Sequence, residues 1–370
     1  MKKPIVFLVC TGVGHVRRGY ESFTEECFAA LRDSTSFQLY LLKGGGEKEK
    51  KSFRVPCIQR NSFLGKKLAT VFRWEPYAIE QFSFWVAMWP LLLWYRPKVI
   101  YYSDFKLGTW LWQLRRFVKF RYQLLFSNGA PNGPPFTRMD HVQQLLPYYY
   151  RAAVMAGVPE KKMTLLPYGF HISQTNQSSA TDKQLLRNKH FLPLDKKIIL
   201  SVGAINKHHK RMDYIIKEFA GLSKHNYYLV LLGQFEEETN SVLSEAAKYL
   251  KHDTYRILAV EPAIVQEYLS VADYFILGSL SEGFGRVLVE ALAKGLMPIV
   301  HDNLVIREVL KEYGIYVDLT AKGGIEKGIS LVESSSINQE KIKSFAYSHY
   351  AWDELRMFYE HMIEQLINEA

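Results

Sequence analysis

Short apolar runs rich in β-branched and aromatic residues recur along the chain, and several lead through a glycine-bearing turn into helical spacing. Such a rhythm constrains the fold strongly, because strands joined by helices must lie parallel and be covered on both faces. Ile5–Cys10 reads as a first strand and Thr11-Gly12-Val13-Gly14 as its turn. A helix follows, with Tyr20, Phe23, Cys27, Phe28 and Leu31 at helical spacing. Phe37–Leu42, Val99–Tyr102 and Gln123–Ser127 are further strands, the last ending at Asn128-Gly129. The pattern then starts again. Ile198–Val202 is a strand, and Arg211–Ala220 a helix with Met212, Ile215, Ile216 and Phe219 on one face. Tyr228–Leu232 ends at Gly233, and Tyr255–Leu258, Tyr274–Leu277 and Met297–Val300 follow as strands. The segment Tyr347–Leu366 reads as a last, aromatic-rich helix. The expected class is α/β, with a Rossmann-like pattern built twice.

A chain of 370 residues suits two domains better than one core. The composition breaks at Leu165-Leu166-Pro167-Tyr168-Gly169-Phe170, and the polar stretch Ser173–Thr181 reads as the linker. The charge is uneven. Residues 1–170 hold 25 basic and 11 acidic side chains, whereas residues 171–370 hold 22 and 26. The basic half should seek an anionic surface or a phosphate-bearing substrate. Cys10, Cys27 and Cys57 have no metal-ligand spacing and read as reduced thiols of a cytoplasmic protein. Pro4–Cys10 is too short for a signal-peptide core. The apolar run FSFWVAMWPLLLWY, Phe82 to Tyr95, falls below the roughly 18–20 residues that span a bilayer. A buried helix is its preferred reading, and an interfacial membrane helix the other.

The most informative segment is LGSLSEGFGRVLVEALAKGLMPIVHD, residues 277–302. A strand ends near Leu277, Glu282-Gly283-Phe284-Gly285 is a loop, and a helix starts near Arg286. Gly283 and Gly285 let backbone approach a ligand closely. The free N–H groups of the helix start make an anion site. Glu282 precedes that helix, and Glu290 lies more than one turn inside it on the face shared with Val287. Carboxylates do not bind phosphate, so these two must address hydroxyl donors on the same ligand. A diphosphate between two polyhydroxyl rings is a nucleotide sugar.

This stretch resembles the donor-site signature of retaining GT-B glycosyltransferases of family 4, the glycosyl transferases group 1. Those enzymes carry E-G-F-G-x-x-x-x-E before a helix and then a G-x-P strand. Gly295-Leu296-Met297-Pro298-Ile299-Val300 is one residue longer than the usual form of that strand. The resemblance implies that Glu282 contacts donor-sugar hydroxyls and that the backbone of Gly283, Phe284 and Gly285 faces sugar and phosphate. Val287 would pack on the ribose and Glu290 would bind its hydroxyls.

A second segment runs from Ser201 to Asp213 as strand, basic loop and helix start. Positions 207–211 (Lys207, His208, His209, Lys210 and Arg211) are all basic or titratable. A departing diphosphate develops negative charge that cations and helix N-termini can stabilise. In the resemblance Lys210 falls on the family's lysine and Gly203 on its glycine, while Ala204 stands where the family has arginine. Lys207 and Arg211 both stand as candidates for the missing cation. Gly233, at the next strand end, completes the donor set. The first turn carries Gly12 and Gly14, which in the family face the donor diphosphate, and His15, Arg17 and Arg18, which could meet an anionic acceptor. The turn is not G-x-G-x-x-G, and no acid ends the second strand, so an NAD site is poorly supported. His141, in Met139-Asp140-His141, is the third expected catalytic residue beside Glu282 and Lys210. In the family a histidine in this region lies near the reacting sugar. Trp352 matches an F-x-W before the family's last helix, with Tyr350 in place of the phenylalanine.

The resemblance implies a GT-B fold: an acceptor-binding domain over 1–170, a nucleotide-sugar-binding domain over 171–345, and a tail helix over 346–370 packing on the first domain. Chemistry would occur in the cleft, with retention of anomeric configuration. No cofactor is expected, because the nucleotide sugar is itself the donor substrate. No metal is expected either: the sequence has no D-x-D, no H-E-x-x-H and no C-x-x-C. Nor has it a P-loop, a G-x-S-x-G elbow or an RNA-binding aromatic signature, so nucleic acid is not an expected partner. The expected partners are a nucleotide sugar and a glycan or lipid-linked acceptor, and the expected place is the cytoplasm, with peripheral contact to anionic lipid at the inner membrane face. The competing readings are a GT-B-fold epimerase or phosphorylase and a non-catalytic scaffold subunit.

Overall fold

The computed structural model describes residues 3–16, 18–173, 180–222, 226–336 and 338–370. Arg17 and the middle of the expected linker, 174–179, lie outside the described residues. The chain divides into two compact units, Met1–His171 with Tyr350–Ala370, and Ile172–His349.

Unit 1 runs β1 (Ile5–Cys10), α1 (Gly19–Leu31), β2 (Gln38–Lys43), β3 (Ser52–Arg54), α2 (Phe63–Phe72), α3 (Pro76–Tyr95), β4 (Val99–Tyr102), α4 (Phe105–Leu114), β5 (Gln123–Ser127), β6 (His141–Gln144), α5 (Pro147–Met155) and β7 (Met163–Leu165). All seven strands are parallel, in the order β3-β2-β1-β4-β5-β6-β7. Val6 to Val9 pair with Val99 to Tyr102, and β1 and β4 are buried almost throughout. This is why they read as continuous apolar runs.

Unit 2 runs α6 (Ala180–Lys189), β8 (Lys197–Val202), α7 (Met212–Ala220), β9 (Tyr227–Leu232), α8 (Thr239–Tyr249), β10 (Tyr255–Leu258), α9 (Pro262–Val271), β11 (Tyr274–Leu277), α10 (Arg286–Ala293), β12 (Pro298–His301), α11 (Leu304–Leu310), β13 (Ile315–Val317), α12 (Gly324–Ser334) and α13 (Gln339–Tyr350). Its six strands are also parallel, in the order β10-β9-β8-β11-β12-β13. The doubly wound α/β expectation therefore holds for both units.

The expected last helix over Tyr347–Leu366 is two helices, α13 and α14 (Trp352–Glu369). The break has a cause in unit 1. Phe170 donates its N–H to the Tyr350 carbonyl at 2.8 Å and accepts from the Trp352 N–H at 3.0 Å, so the backbone at Ala351 serves a bridge to Phe170 instead of the helix. Within unit 1, Tyr359 of α14 then donates its hydroxyl to the Pro167 carbonyl at 2.7 Å and accepts from Gln143 at 2.8 Å.

The apolar run at 82–95 lies in α3, and the structure corrects its reading as a buried helix. Phe84, Met88 and Leu92 are fully buried, but Phe82, Val86, Trp89 and Leu93 are exposed. Both faces are apolar and the core uses only one. Among the described residues, no helix is long and apolar enough to cross a membrane.

Candidate functional site

Each sheet reverses its winding once, and in open α/β sheets ligands bind beyond the carboxyl ends of the two strands at that reversal. In unit 2 these strands are β8 and β11. The loop after β8 carries Gly203 to Arg211, and the loop after β11 carries Gly278 to Gly285. The topology thus brings together the two segments that the sequence singled out.

The β8 loop is shaped by two acceptors. The Asn206 side chain, buried, takes the N–H of Lys210 at 2.8 Å and of His209 at 3.3 Å. Glu238 takes the N–H of Lys207 at 2.8 Å and of His208 at 3.2 Å, and the His208 ring lies 2.8 Å away. These hydrogen bonds, the His208 ring first, hold the Glu238 carboxyl down to about 2. The loop then delivers Lys210 across Gly203, where an added Cβ would stand 2.9 Å from the lysine stem.

Lys210 Nζ pairs with Glu282 Oε1, and both side chains are largely shielded, at 15 % and 8 % exposure. Of the cations in the basic run, Lys210 is the one beside Glu282. Lys207 lies 3.8 Å from Glu245. Arg211 donates to the carbonyls of Gly278 at 3.2 Å and Leu319 at 2.9 Å, and its guanidinium covers the Tyr214 ring. It ties the loop to the end of β11. Burial, with the Lys210 charge next, lowers the His209 pKa.

On the β11 side, Phe284 is buried and anchors the loop. Gly285 caps α10 at φ +75°, a left-handed conformation that a side chain would strain. Val287 and Glu290 are half-buried on α10. Gln266 donates to Glu290 at 3.3 Å. Lys294 is pushed down by burial and then by Lys343, against the pull of Glu290. Gly233 closes β9 against the Gly203 carbonyl, leaving no room for a Cβ.

In unit 1 the reversal lies between β1 and β4, and it gathers Gly12, Gly14 and His15 with residues that the sequence reading missed. Asp104, fully buried after β4, accepts from the Thr11 N–H at 3.2 Å and from the Tyr77 hydroxyl. Glu80 is also fully buried. Arg60 donates to it from its main chain at 2.7 Å, from Nε at 3.0 Å and from a terminal nitrogen at 2.6 Å, and His15 Nε2 lies 3.2 Å away. Burial pushes Glu80 up, but the bonds from His15 and Arg60 prevail and hold it down to about 2. Burial raises Glu21 and Asp104 instead. Asp104 was findable as an acid directly beyond a buried strand; Arg60 and Glu80 had no such marker. Arg18 is exposed at the cap of α1.

His141 does not join this group. It is the first residue of β6, at the opposite end of the strand from the carboxyl edge, buried, with Nε2 2.7 Å from the Thr164 hydroxyl. Burial lowers its pKa to about 4, so its ring is neutral near pH 7. Among the described residues, no three His, Cys, Asp or Glu side chains gather as a metal would need.

Similarity to known proteins points the same way. The chain superposes on sucrose-phosphate synthase from Thermosynechococcus elongatus with a TM-score of 0.78 at 17 % identity, covering 100 % of both chains. It superposes on HepE of Anabaena, solved with UDP and glucose, with a TM-score of 0.74 at 13 % identity over 98 % of this chain and 100 % of that one. This is the GT-B fold of two parallel α/β units. Residues 182–349, within unit 2, match the family model of glycosyl transferases group 1. An uncharacterized glycosyltransferase of Methanocaldococcus jannaschii is 28 % identical over 209 residues, 54 % of this chain and 53 % of that protein. The chain spans 32 % and 53 % of the lengths of the first curated relatives it matches.

Proposed function

We propose that this chain is a retaining, metal-independent glycosyltransferase of family 4 that moves a hexosyl unit from a nucleotide-diphosphate sugar to a hydroxyl of a glycan or lipid-linked acceptor. The observation that carries this is the meeting of Lys210 and Glu282 at the reversal point of the unit 2 sheet, beside the N-terminus of α10. A diphosphate needs a cation and free N–H groups, and a sugar needs a carboxylate that accepts from its hydroxyls. Lys210 and the backbone of Gly283 and Gly285 supply the first, Glu282 the second, and Glu290 and Val287 serve the ribose. Arg211 and Lys207 act on the loop that aims Lys210, and Gly203 and Gly233 leave it room. The nucleotide sugar bound by HepE is the same class of ligand on the same fold.

The bond from the anomeric carbon to the diphosphate breaks as the acceptor oxygen bonds on the same face, and the departing phosphate oxygen takes the acceptor proton. The protein's part is positioning and charge stabilisation, with no cofactor. His15, Arg17 and Arg18 are assigned to the acceptor and Gly12 and Gly14 to the donor diphosphate, with Asp104 and Glu21 packed beneath the turn at Thr11 and Gly12. The basic first half suits an acceptor held at the inner membrane face, as in surface polysaccharide or glycoconjugate synthesis.

Incubation with a panel of nucleotide sugars and acceptors, following free nucleotide, tests this. A matched donor should release nucleotide, and Lys210→Ala and Glu282→Ala should each remove most of that release while circular dichroism stays that of the parent. Full rates in either folded variant would refute the assignment.

A further inference from the structure

Unit 1 carries an aromatic face that its own fold leaves uncovered. On α3, Phe82, Val86, Trp89 and Leu93 recur at helical spacing and form one exposed stripe. Rings join that stripe to the end of α2. Trp74 lies 5.7 Å from Phe82 and 6.4 Å from Phe72. Trp85 bridges Phe82 at 5.6 Å to Trp89 at 5.0 Å, and Trp110 of α4 lies 5.3 Å from Phe82. α2 adds Phe63, 82 % exposed, with Leu64 and Val71. Soluble monomers rarely present a contiguous apolar patch of this kind without a partner for it.

The charge around the patch is mainly of one sign. Residues 63–121 hold ten Lys and Arg and three acids, and two of those acids, Glu80 and Asp104, are fully buried. Glu75 is the one exposed acid of the segment. Lys66, Lys67 and Arg73 are exposed on and just after α2, among its apolar residues. Lysine is depleted at protein–protein interfaces, whereas tryptophan among basic residues marks lipid headgroup surfaces.

We propose that the outer faces of α2 and α3 dock this chain on an anionic lipid bilayer. Phe72, Trp74 and Trp89 enter the boundary between headgroups and acyl chains, and Lys66, Lys67 and Arg73 meet the lipid phosphates. This names the surface for the membrane contact proposed above and rests on that part of the reading. It does not depend on sugar transfer.

The test is flotation of the full chain with vesicles of phosphatidylcholine and phosphatidylglycerol in equal parts, against phosphatidylcholine alone. Binding should require the anionic lipid and weaken with salt, and tryptophan emission should shift to the blue and be quenched by brominated acyl chains. Lys66→Gln/Lys67→Gln/Arg73→Gln should lower the partition coefficient on the order of 100-fold. Phe72→Ser/Trp89→Ser should abolish the emission shift. Both variants should keep the parent's nucleotide release with a water-soluble acceptor, which separates this surface from the donor site. No binding to anionic vesicles at low salt would overturn the proposal, as would binding that the cation triple variant leaves unchanged. So would self-association in the absence of lipid that Phe72→Ser/Trp89→Ser removes.

Discussion

Lys210 and Glu282, 72 residues apart in the chain, form an ion pair at the carboxyl ends of the two strands where the unit 2 sheet reverses its winding. Neither side chain is more than 15 % exposed, so removing one leaves the other poorly solvated and without its partner. Lys210→Ala and Glu282→Ala should each cost about 1–3 kcal/mol in urea unfolding. The double variant should cost less than the two together, because it strands no charge. Strict additivity would mean that the pair does not couple. Nucleotide release should behave differently, with all three variants about equally inactive, as expected of residues that act as one unit.

Gly203 and Gly233 give a matched contrast. A Cβ at Gly203 meets first the flexible stem of Lys210, at 2.9 Å, whereas a Cβ at Gly233 collides with the Gly203 carbonyl. Gly203→Ala should displace Lys210 and lower turnover at least tenfold, with a stability change below about 1 kcal/mol. Gly233→Ala should force the backbone apart and cost about 2–3 kcal/mol. Thermal midpoints measured alongside kcat distinguish the two. A Gly203→Ala enzyme with full turnover would remove the steric account of Lys210 placement.

The donor-side loops were legible because their chemistry is continuous in sequence: a buried strand, a glycine turn and a helix start with its charges beside it. The β/α alternation was legible for the same reason, since β1, β4, β9 and β11 are apolar throughout and β5 and β8 are apolar at their centres. β6 was missed because His141-Val142-Gln143-Gln144 reads as polar. It is buried nonetheless, since Gln143 spends its amide on the Leu166 carbonyl and on the hydroxyls of Tyr101 and Tyr359. β3, β7 and β13, three residues each, are too short to show a period. The Arg60–Glu80 pair joins a loop to a helix interior 20 residues on, and only the tertiary fold makes it. The same holds for the outer face of α3, since composition alone does not say which side of an apolar helix the core takes.

Tyr359 ties α14 to β6 and to the segment just beyond β7 through two hydrogen bonds in a fully buried position. Tyr359→Phe keeps the ring packed against Trp352 and Phe23 but leaves the Pro167 carbonyl and the Gln143 amide each short of a partner. The expected cost is about 1–3 kcal/mol in denaturant unfolding. An unchanged midpoint would mean that water replaces the hydroxyl.

Acid should weaken unit 1 through Glu80. The Arg60 and His15 hydrogen bonds hold this buried carboxyl at about 2, against an ordinary value of 4.5. A carboxyl depressed on folding contributes stability above its unfolded value and loses it as the pH falls through the folded one. The contribution is therefore complete above about pH 5 and gone near pH 2. At about 1.4 kcal/mol per unit the full effect is about 3 kcal/mol. Glu21 and Asp104 act with the opposite sign, because burial raises them and folding then favours their protonated forms as the pH falls. The wild-type curve mixes both kinds of group, so the informative quantity is the stability difference between wild type and Glu80→Gln. That difference should favour wild type at neutral pH, where the carboxylate answers the Arg60 guanidinium that glutamine cannot match. It should shrink steadily from pH 5 toward pH 2 as Glu80 takes up its proton. A difference that stays flat across this range would show that the Arg60 contacts do not depress the carboxyl, and that its place beneath the first turn is one of packing alone.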